Sequence, residues 1–139
     1  MADAKVFLNR IFNEVINDGN LDAVDELFTE DFVDHGPMGD THGRDEFKAL
    51  VAAWRSAVPD VHCVVENVVS DGELAGWTVR TTGTHTGDGL GFPATGKTFE
   101  TVSANIGRFH DGVAAEHWAE QGIFPMLVQI GMMPMPVAN

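Results

Sequence analysis

The sequence predicts an α+β fold in which helices pack on one face of a bent antiparallel sheet. Apolar residues recur at helical spacing before Pro59, whereas the later segments alternate with a period of two and are rich in Val, Thr, Phe and Trp. The stretches SDGE and HDGV have the composition of tight turns between strands. With a length of 139 residues, this pattern predicts one domain covering residues 1–139.

Three helices are expected before Pro59. The first contains the apolar positions between Val6 and Ile16, and it ends at Gly19, a residue type favoured at helix C-termini. The second is expected from Leu21 to Phe28, where apolar residues share one face. The third is expected from about Arg44 to Ala57 and is stopped by the proline that follows it.

Four segments after Pro59 predict strands, and a short helix and a tail follow them. The helical piece is IFPMLVQIG, and residues 132–139, rich in Met and Pro, are expected to form a flexible tail. A strongly bent sheet with helices over its concave face leaves a conical internal pocket. The strand segments are VHCVVENVVSDG, ELAGWTVRTTGTHTG, KTFETVSANIGRFHDG and GVAAEHWAEQG.

The chain is strongly acidic, with 8 Lys and Arg residues against 21 Asp and Glu residues and a formal net charge of −13. A field of this sign repels phosphate backbones and anionic lipid surfaces, so neither nucleic acid nor a membrane is an expected partner. The apolar runs are far shorter than the roughly 20 residues of a membrane span. The N-terminal segment lacks the apolar core of a secretory signal, so a cytoplasmic location is expected.

No cofactor motif is recognisable in the sequence. GxGxxG, GxxxxGK[ST] and CxxC do not occur, and the glycine-rich stretch GDGLGFPATG is interpreted as a surface loop. The six histidines include no HxH or HxxxH pair that would place two metal ligands on one face, so no metal site is expected. Cys63 lies in an apolar run and is expected to be a buried structural thiol. Any chemistry is therefore expected from the chain's own side chains, without a cofactor.

Five stretches distributed along the chain together point to a family. They are NDGNLDAVDELFTEDFVDH, GTHTGDGLGFPATGK, RFHDG, EHW and QIG. In this combination the chain resembles the SnoaL-like polyketide cyclases, which belong to the wider NTF2-like superfamily. Each stretch alone is a weak signal, but a GTHTG turn, a GxPxTGK loop and an RFxDG hairpin before EHW are specific together.

The resemblance implies a cone-shaped fold and a type of chemistry. It implies N-terminal helices packed on a strongly bent sheet. It also implies a cofactor-independent enzyme, commonly a homodimer, that holds a flat hydrophobic aromatic substrate in the cone. The family's reaction is an intramolecular aldol condensation that closes a ring of an aromatic polyketide in antibiotic biosynthesis. A side chain removes a proton from carbon, and the conjugated carbonyls of the substrate delocalise the resulting enolate.

The chain departs from the family pattern at the expected base. In the cyclases an acid/base aspartate follows the position of Trp118, and here that position is Ala119. The assisting histidine of the neighbouring strand is matched by Asn105. The resemblance therefore predicts that the chain has the family's fold but lacks its usual aldol base.

Strand alternation divides the residues of AAEHWAEQG between two faces. His117, Ala119 and Gln121 share the face expected to line the pocket, and Ser103 and Asn105 of the preceding strand are expected to join them. An unperturbed imidazole titrates near pH 6.5, so His117 is the leading acid/base candidate. The alternative is that His117 only hydrogen-bonds a neighbour in a polar patch of the wall.

Three residues of the same strand are expected on the opposite face. Trp118 is expected to pack under helices or at a dimer interface, with a substrate contact as the alternative. Glu120 is a catalytic candidate only if the strand bulges and turns its carboxylate into the pocket. Glu116 shares this face and is given no catalytic role.

The other candidates lie outside these strands. His35 is a catalytic candidate because relatives often point polar residues of this segment into the cone, and the alternative is a histidine that caps a turn. Asp34 would be its partner for fixing a tautomer. His85 either contacts substrate or stabilises the GTHTG turn. Phe47 and Trp54, on the inner stripe of the third helix, are expected to serve both as core and as the substrate-binding wall.

Three functions therefore stay open. The first is an enzyme that cyclises an aromatic polyketide or a similar hydrophobic carbonyl compound, with His117 as acid/base. The second keeps the frame but hydroxylates a finished polyketide skeleton. The third, favoured by Ala119, is a non-catalytic binding or dimerisation module.

Overall fold

The computed structural model describes the backbone of residues 2–135 and the side chains of residues 4–135. The first, third and last predicted helices lie where the apolar periodicity places them. The second is shorter than predicted, because Phe28 is extended and begins a strand. The helices are α1 (Ala2–Arg10), continued by a π-helical segment (Ile11–Asn17); α2 (Val24–Leu27), preceded by a 3₁₀ turn (Leu21–Ala23); α3 (Gly43–Ala57); and α4 (Ile123–Gln129).

Six strands form one sheet in the order β2–β1–β6–β5–β4–β3. Neighbouring strands are antiparallel except β1 and β6, which are parallel. Register shifts interrupt the β1–β6, β3–β4 and β5–β6 ladders, and bulges of this kind bend the strands that carry them. The strands are β1 (Phe28–Gly36), β2 (Gly39–His42), β3 (His62–Asp71), β4 (Leu74–Thr84), β5 (Thr98–His110) and β6 (Val113–Glu120).

The predicted α+β class is confirmed, and the predicted all-antiparallel sheet is corrected. The four strands expected after Pro59 are present, but β1 and β2 add two strands that the sequence pattern did not indicate. The sequence of β1 does not alternate regularly between apolar and polar residues, and it is not bounded by a turn on both sides. The local sequence pattern therefore did not indicate a strand there. Its parallel partner β6 lies more than 80 positions later in the chain, and no local signal reports such a pairing.

Glycines at the predicted stops and turns adopt the conformations that only glycine tolerates easily. Gly19 has φ of +79°, and its N–H bonds to the carbonyl of Val15 where the first helical region ends. In the hairpin between β5 and β6, Asp111 and Gly112 have φ of 52° and 80°. Two successive positive φ values give the turn that matches the right-handed twist of a hairpin.

The helices cover one face of the sheet and leave the other face open. Along β5, buried and exposed residues alternate from Phe99 to Phe109. The buried set packs against the helices together with a cluster of aromatic rings, in which Phe7 contacts Phe28 and Phe109 edge to face. The opposite face of β5 presents Val102 and Ile106, each about half exposed.

Within residues 2–135, none of the helices combines the length and apolar character that crossing a membrane requires. Of the predicted tail, Met132, Met133 and Met135 are exposed. The remaining part of that prediction, residues 136–139, lies outside the described residues.

Candidate functional site

A cavity of about 180 Å³ lies between the helices and the concave face of the sheet. The helical wall is apolar except for Arg55: Phe7 and Ile11 come from the first helical region, and Phe47, Leu50 and Trp54 come from α3. The helical spacing of these residues turns one stripe of each helix toward the sheet. Phe47 and Trp54 therefore line the cavity, as the sequence predicted.

The sheet wall of the cavity carries the polar groups. Ser103 and Asn105 reach it from β5, His117 from β6 and Gln121 from just beyond β6. The structure thus brings together the four polar residues that strand alternation assigned to the pocket. A fifth, Asp34 of β1, joins them. Polar groups concentrated on one wall can orient a mostly apolar ligand.

Four of these side chains, those of Asp34, His117, Asn105 and Ser103, form one continuous chain of hydrogen bonds. His117 Nδ1 lies 2.7 Å from Asp34 Oδ1, and His117 Nε2 lies 2.9 Å from Asn105 Oδ1. Asn105 Nδ2 then donates to Ser103 Oγ at 3.2 Å. Asp34 is 2% exposed, whereas the His117 side chain keeps 18% of its surface accessible. The imidazole is therefore held on both sides and still reaches the cavity.

Asp34 is a site residue that the sequence did not indicate. Its expected partner was His35, but the parallel pairing of β1 with β6 sets Asp34 directly beside His117. One signal was available: Asp34 is two positions after Phe32, and alternation puts both on the same face. Phe32 is 1% exposed, so a large buried residue marks that face as the inner one.

An aromatic ring covers one face of the imidazole. Trp77 of β4 stacks on His117, with ring centroids 5.6 Å apart and an interplanar angle of 13°. Gly107, which pairs with His117 across β5 and β6, makes room for this stack. A Cβ atom at Gly107 would lie 2.9 Å from Trp77 Cη2. Such stacking fixes the plane of the imidazole.

A sequence profile of the SnoaL-like polyketide cyclases matches residues 7–130, which is nearly the whole chain. The chain belongs to the SnoaL-like polyketide cyclase family. Its six-stranded mixed sheet with helices on one face is the NTF2-like, ketosteroid isomerase-like architecture. Among curated proteins, no sequence matched the chain.

Solved structures share this fold over almost the whole length. A protein from Jannaschia sp. CCS1, provisionally named a SnoaL-like polyketide cyclase, superposes with a TM-score of 0.86 at 24% identity, covering 96% of this chain and 94% of its own. IdmH from Streptomyces antibioticus, provisionally named a polyketide cyclase, gives 0.79 at 29% identity, covering 92% and 98%. AclR from Streptomyces galilaeus, provisionally named a hydroxylase, gives 0.83 at 24% identity, covering 99% and 86%.

Ala119, which the resemblance to the cyclases predicts to occupy the family's aspartate position, offers no acid or base. Ala119 pairs with Asn105 across β6 and β5, and it follows His117 on the same face by alternation. His117, one alternation step earlier on the strand, is an ionisable side chain that does line the cavity. Asp34 supplies a carboxylate to the site, but from β1 and behind the imidazole.

His35 lies on the outer face of the sheet, not in the cone as the resemblance predicted. Its Nε2 lies 2.7 Å from Glu116 Oε2, its Nδ1 lies 2.9 Å from Asp40 Oδ1, and its ring stacks on Trp118 at 5.2 Å. The hydrogen bond with Glu116, followed by that with Asp40, raises the pKa of His35. The same contact, helped by Arg108, lowers the pKa of Glu116. Alternation along β1 explains this placement. Asp34 points into the cavity, so the next residue, His35, points to the opposite face of the sheet.

Glu120 and Trp118 also lie away from the cavity, on the outer face. Glu120 is exposed, and its Oε1 accepts the N–H of Gly122 at 3.1 Å. The ladder from Asn105–Ala119 to Ala104–Glu120 is regular, so the bulge that would turn Glu120 inward does not form. Trp118 is partly buried beside His35, in a shallow groove on the outer face.

His85 and Cys63 have surroundings typical of structural residues. His85 is fully buried outside the cavity, and its Nδ1 accepts the N–H of Thr95 at 3.1 Å, which ties the long loop between β4 and β5 together. Cys63 lines the cavity, with Sγ 3.3 Å from Thr81 Oγ1, and burial raises the pKa of its thiol. Within the described part of the chain, no three His, Cys, Asp or Glu side chains are arranged to hold a metal ion.

Proposed function

We propose that this chain is a cofactor-independent enzyme that acts on an aromatic polyketide or a similar hydrophobic carbonyl compound, closing a ring by intramolecular aldol condensation. The observation that carries the proposal is the hydrogen-bonded pair of His117 and Asp34 at the wall of an apolar cavity. Family membership supplies the substrate class. His117 takes the role that the family's aspartate would otherwise perform.

The proposed reaction needs one group that first accepts and later returns a proton. A bound substrate displaces Asn105 from His117 Nε2, from which the amide oxygen lies 2.9 Å in the structure. Nε2 then removes a proton from a carbon next to a carbonyl group, and the enolate is delocalised over the conjugated carbonyls of the substrate. The enolate carbon then attacks a second carbonyl carbon of the same molecule, which forms the ring C–C bond and leaves an alkoxide. The imidazolium returns its proton to that alkoxide, so atoms and charge balance and the enzyme is regenerated.

Asp34 acts on this reaction through His117. Its oxygen accepts the Nδ1–H of the imidazole, which directs the lone pair of the neutral ring to Nε2. When Nε2 takes up a proton, the buried carboxylate stabilises the imidazolium at close range. Asp34 is therefore a positioning residue whose charge supports the base.

The two walls of the cavity fit a flat substrate with polar atoms along one edge. The aromatic and aliphatic side chains of α1 and α3 would cover its apolar faces, with Trp54 and Phe47 among them. Ser103, Asn105 and Gln121 of the sheet wall would hydrogen-bond its oxygens. Excluding water in this way strengthens the electrostatic interactions on which the acid/base step depends.

A non-catalytic binding module is the second candidate, and Ala119 at the family's base position is the observation that favours it. Hydroxylation of a polyketide skeleton is a third outcome, and it would require oxygen to be activated by the substrate or by a reductase partner. These three functions differ in the fate of a bound substrate, which is cyclised, hydroxylated or left unchanged.

The test incubates the protein with a linear or tricyclic polyketide ester and follows products and dissolved oxygen. Cyclised product without oxygen consumption supports the proposal, provided that His117→Ala abolishes it. His35→Ala is the matched control, because that histidine lies on the outer face. Oxygen consumption indicates hydroxylation instead, and binding without turnover indicates a binding module.

We also propose that the chain forms a homodimer through the outer face of the sheet. Val69, Val102 and Ile106 expose 72%, 48% and 49% of their surface there, around the groove that contains Trp118. Arg80 and Arg108 lie on the same face, and each pairs with a carboxylate. This local charge balance lets two otherwise acidic copies approach through this face.

A further inference from the structure

Arg55 of α3 brings a positive charge to the wall of the cavity. Among the described residues that line the cavity, no lysine and no other arginine accompanies it. Arg10, Arg80 and Arg108 each form an ion pair with a carboxylate. Within the described chain Arg55 forms none, although the sequence contains 21 Asp and Glu residues. Its guanidinium is therefore a cation at the cavity without an anionic partner.

The backbone of the first helical region holds this guanidinium in place. Its Nη1 donates to the carbonyl oxygens of Ile16 and Asn17 at 2.7 and 2.8 Å, where the π-helical segment ends. Gly19 packs against the same group, since a Cβ atom at that position would lie 2.6 Å from Nε and 3.0 Å from Nη2. A guanidinium that is fixed before a ligand arrives loses little conformational freedom when the ligand binds.

The other two guanidinium nitrogens remain available to a ligand. Nε and Nη2 of Arg55 donate to no acceptor in the part of the chain that the structure describes. Neither is among the buried polar atoms that lack a partner, so both are accessible. The planar fork of a guanidinium matches the two oxygens of a carboxylate. The structural contacts of Arg55 therefore use one nitrogen and leave the Nε–Nη2 edge free for an anion.

Arg55 is tied to the part of the sheet in which β3 begins. Its acceptor Asn17 exchanges two hydrogen bonds with the backbone of Cys63: Nδ2 donates to the carbonyl at 3.0 Å, and Oδ1 accepts the N–H at 2.8 Å. Cys63 pairs with Thr81 of β4, which in turn pairs with Thr101 of β5. The position of Thr101 therefore marks the level of Arg55 on the sheet.

His117 lies at a different level of the same sheet. It pairs with Gly107 of β5, which is about six positions beyond Thr101 and about 20 Å from it at the usual rise of a strand. Both Thr101 and Gly107 line the cavity, so Arg55 and His117 lie toward its opposite ends. A ligand that contacts both side chains must therefore be elongated.

We propose that the Nε–Nη2 edge of Arg55 binds a carboxylate of the substrate while the carbon that loses a proton lies at His117. The substrate is then a flat aromatic carbonyl compound with a free acid at the end opposite to the reacting carbon, and not the corresponding neutral ester. This deepens the proposed function and rests on it for the reaction at His117. Arg55 is in this way a residue that determines specificity.

The charges around the cavity fit a ligand with a single acidic group. The formal net charge of −13 repels anions, so an acidic ligand requires a cation within the site itself. The carboxylates that line the cavity, Asp34 and Glu116, belong to β1 and β6 and bond to histidines there. They therefore do not compete for Arg55. A hydrogen bond to an ionised group is also stronger in an apolar cavity than in water.

The test measures equilibrium binding without turnover, with anthraquinone-2-carboxylate and its methyl ester as probes. Both are flat aromatic ketones, and they differ in charge. The wild type should bind the acid about 10- to 100-fold more tightly than the ester, as expected for hydrogen bonds between charged groups. Arg55→Met keeps an unbranched side chain but removes the charge. It should abolish the preference for the acid and leave the affinity for the ester unchanged.

Two further variants serve as controls. Lys48→Met removes the same charge from α3, but from a side chain that pairs with Asp25 and does not line the cavity, so the preference for the acid should persist. Arg55→Lys keeps the charge without the planar fork and should retain part of the preference. Equal loss of both probes in Arg55→Met would mean that Arg55 only supports the helix end, and it would overturn the proposal. Equal affinity of the wild type for acid and ester would overturn it as well.

These outcomes do not depend on the aldol reaction. A binding module without turnover would still prefer the acid, so failure of the proposed function leaves the preference intact. Conversely, ring closure by a protein that does not prefer the acid would overturn the role of Arg55 alone.

Discussion

The carboxylate of Asp34 lies 2.7 Å from Nδ1 of His117, although 83 positions separate the two residues in the chain. The parallel pairing of β1 and β6 creates this contact, because it sets the two residues in register on the inner face. Asp34 is the buried carboxylate among the described side chains, and a buried charge requires a partner. The imidazole is that partner, which makes the pair the centre of the proposed chemistry.

Asp34→Asn should reduce turnover strongly while leaving the fold intact. The amide keeps the volume of the carboxylate but loses its charge, and it can donate to Nδ1, which would place the ring proton on Nε2 and remove the base. We expect kcat to fall by about 10²- to 10⁴-fold, the range typical of general acid–base catalysis. Asp40→Asn is the matched control, since Asp40 contacts the outer-face His35. An equal fall in kcat in both variants would contradict the proposal that Asp34 acts on the reaction through His117.

Gly107→Ala should disturb the stack of Trp77 on His117. The new Cβ would lie 2.9 Å from both Trp77 Cη2 and Phe109 Cε2, and neither ring is a flexible chain end. We expect the free energy of unfolding to fall by about 1–3 kcal/mol, as for other overpacked cores, with a change in the near-ultraviolet circular dichroism of Trp77. Gly76→Ala is the control, because its Cβ would meet only ordinary contacts at 3.4 Å or more. Similar losses for both glycines would contradict this prediction.

The outer cluster of His35 should make stability depend on pH. Its hydrogen bonds to Glu116 and Asp40 raise the pKa of His35 above 6.5, so its contribution is fully present below that pH and is lost as the pH rises through the raised value. The contribution of Glu116, whose pKa is lowered, is lost only when the medium becomes acidic enough to protonate it. His35→Gln should therefore destabilise the fold more at about pH 6 than at about pH 9.

Denaturant unfolding of wild type and His35→Gln at both pH values measures this difference. His62→Gln is the control, because His62 is an exposed histidine at the start of β3. Its effect should be the same at the two pH values. A His35 effect that does not change with pH would mean that the ion pairs do not contribute to stability.

Ile106→Glu should separate the proposed homodimer into monomers. Ile106 is 49% exposed beside the groove on the outer face, and a carboxylate there would be buried without a partner in the interface. Sedimentation velocity should show half the mass of the wild type at the same micromolar concentration. Val6→Glu places the same charge on an exposed position of α1 and should leave the mass unchanged. A monomeric wild type would contradict the dimer proposal.

The sequence was sufficient to predict the residues that share a face within one strand. Alternation along β5 and β6 placed Ser103, Asn105, His117 and Gln121 on the cavity wall, and helical spacing placed Trp54 opposite them. These predictions succeed because strand and helix periods are local properties of the chain. The same alternation predicted that Glu116, Trp118 and Glu120 lie on the opposite face from His117, which is the outer face in the structure.

The sequence could not predict how distant strands meet. The register of β1 on β6 depends on tertiary packing, so the contact of Asp34 with His117 and the outward direction of His35 were both missed. Phe28 was also misplaced by local pattern. Its spacing predicted the end of the second helix, but it begins β1 and packs against Phe32 and Phe47 in the aromatic cluster. Tertiary contacts override local propensity at such positions.

The most direct test of the central claim compares the rate of ring closure in His117→Gln and His35→Gln. Both variants replace an imidazole by an amide, one in the cavity and one on the outer face. With a saturating polyketide ester, kcat should fall by about 10²-fold or more for His117→Gln and stay near the wild-type value for His35→Gln. Undiminished ring closure by His117→Gln would contradict the assignment of His117 as the acid/base of this cavity.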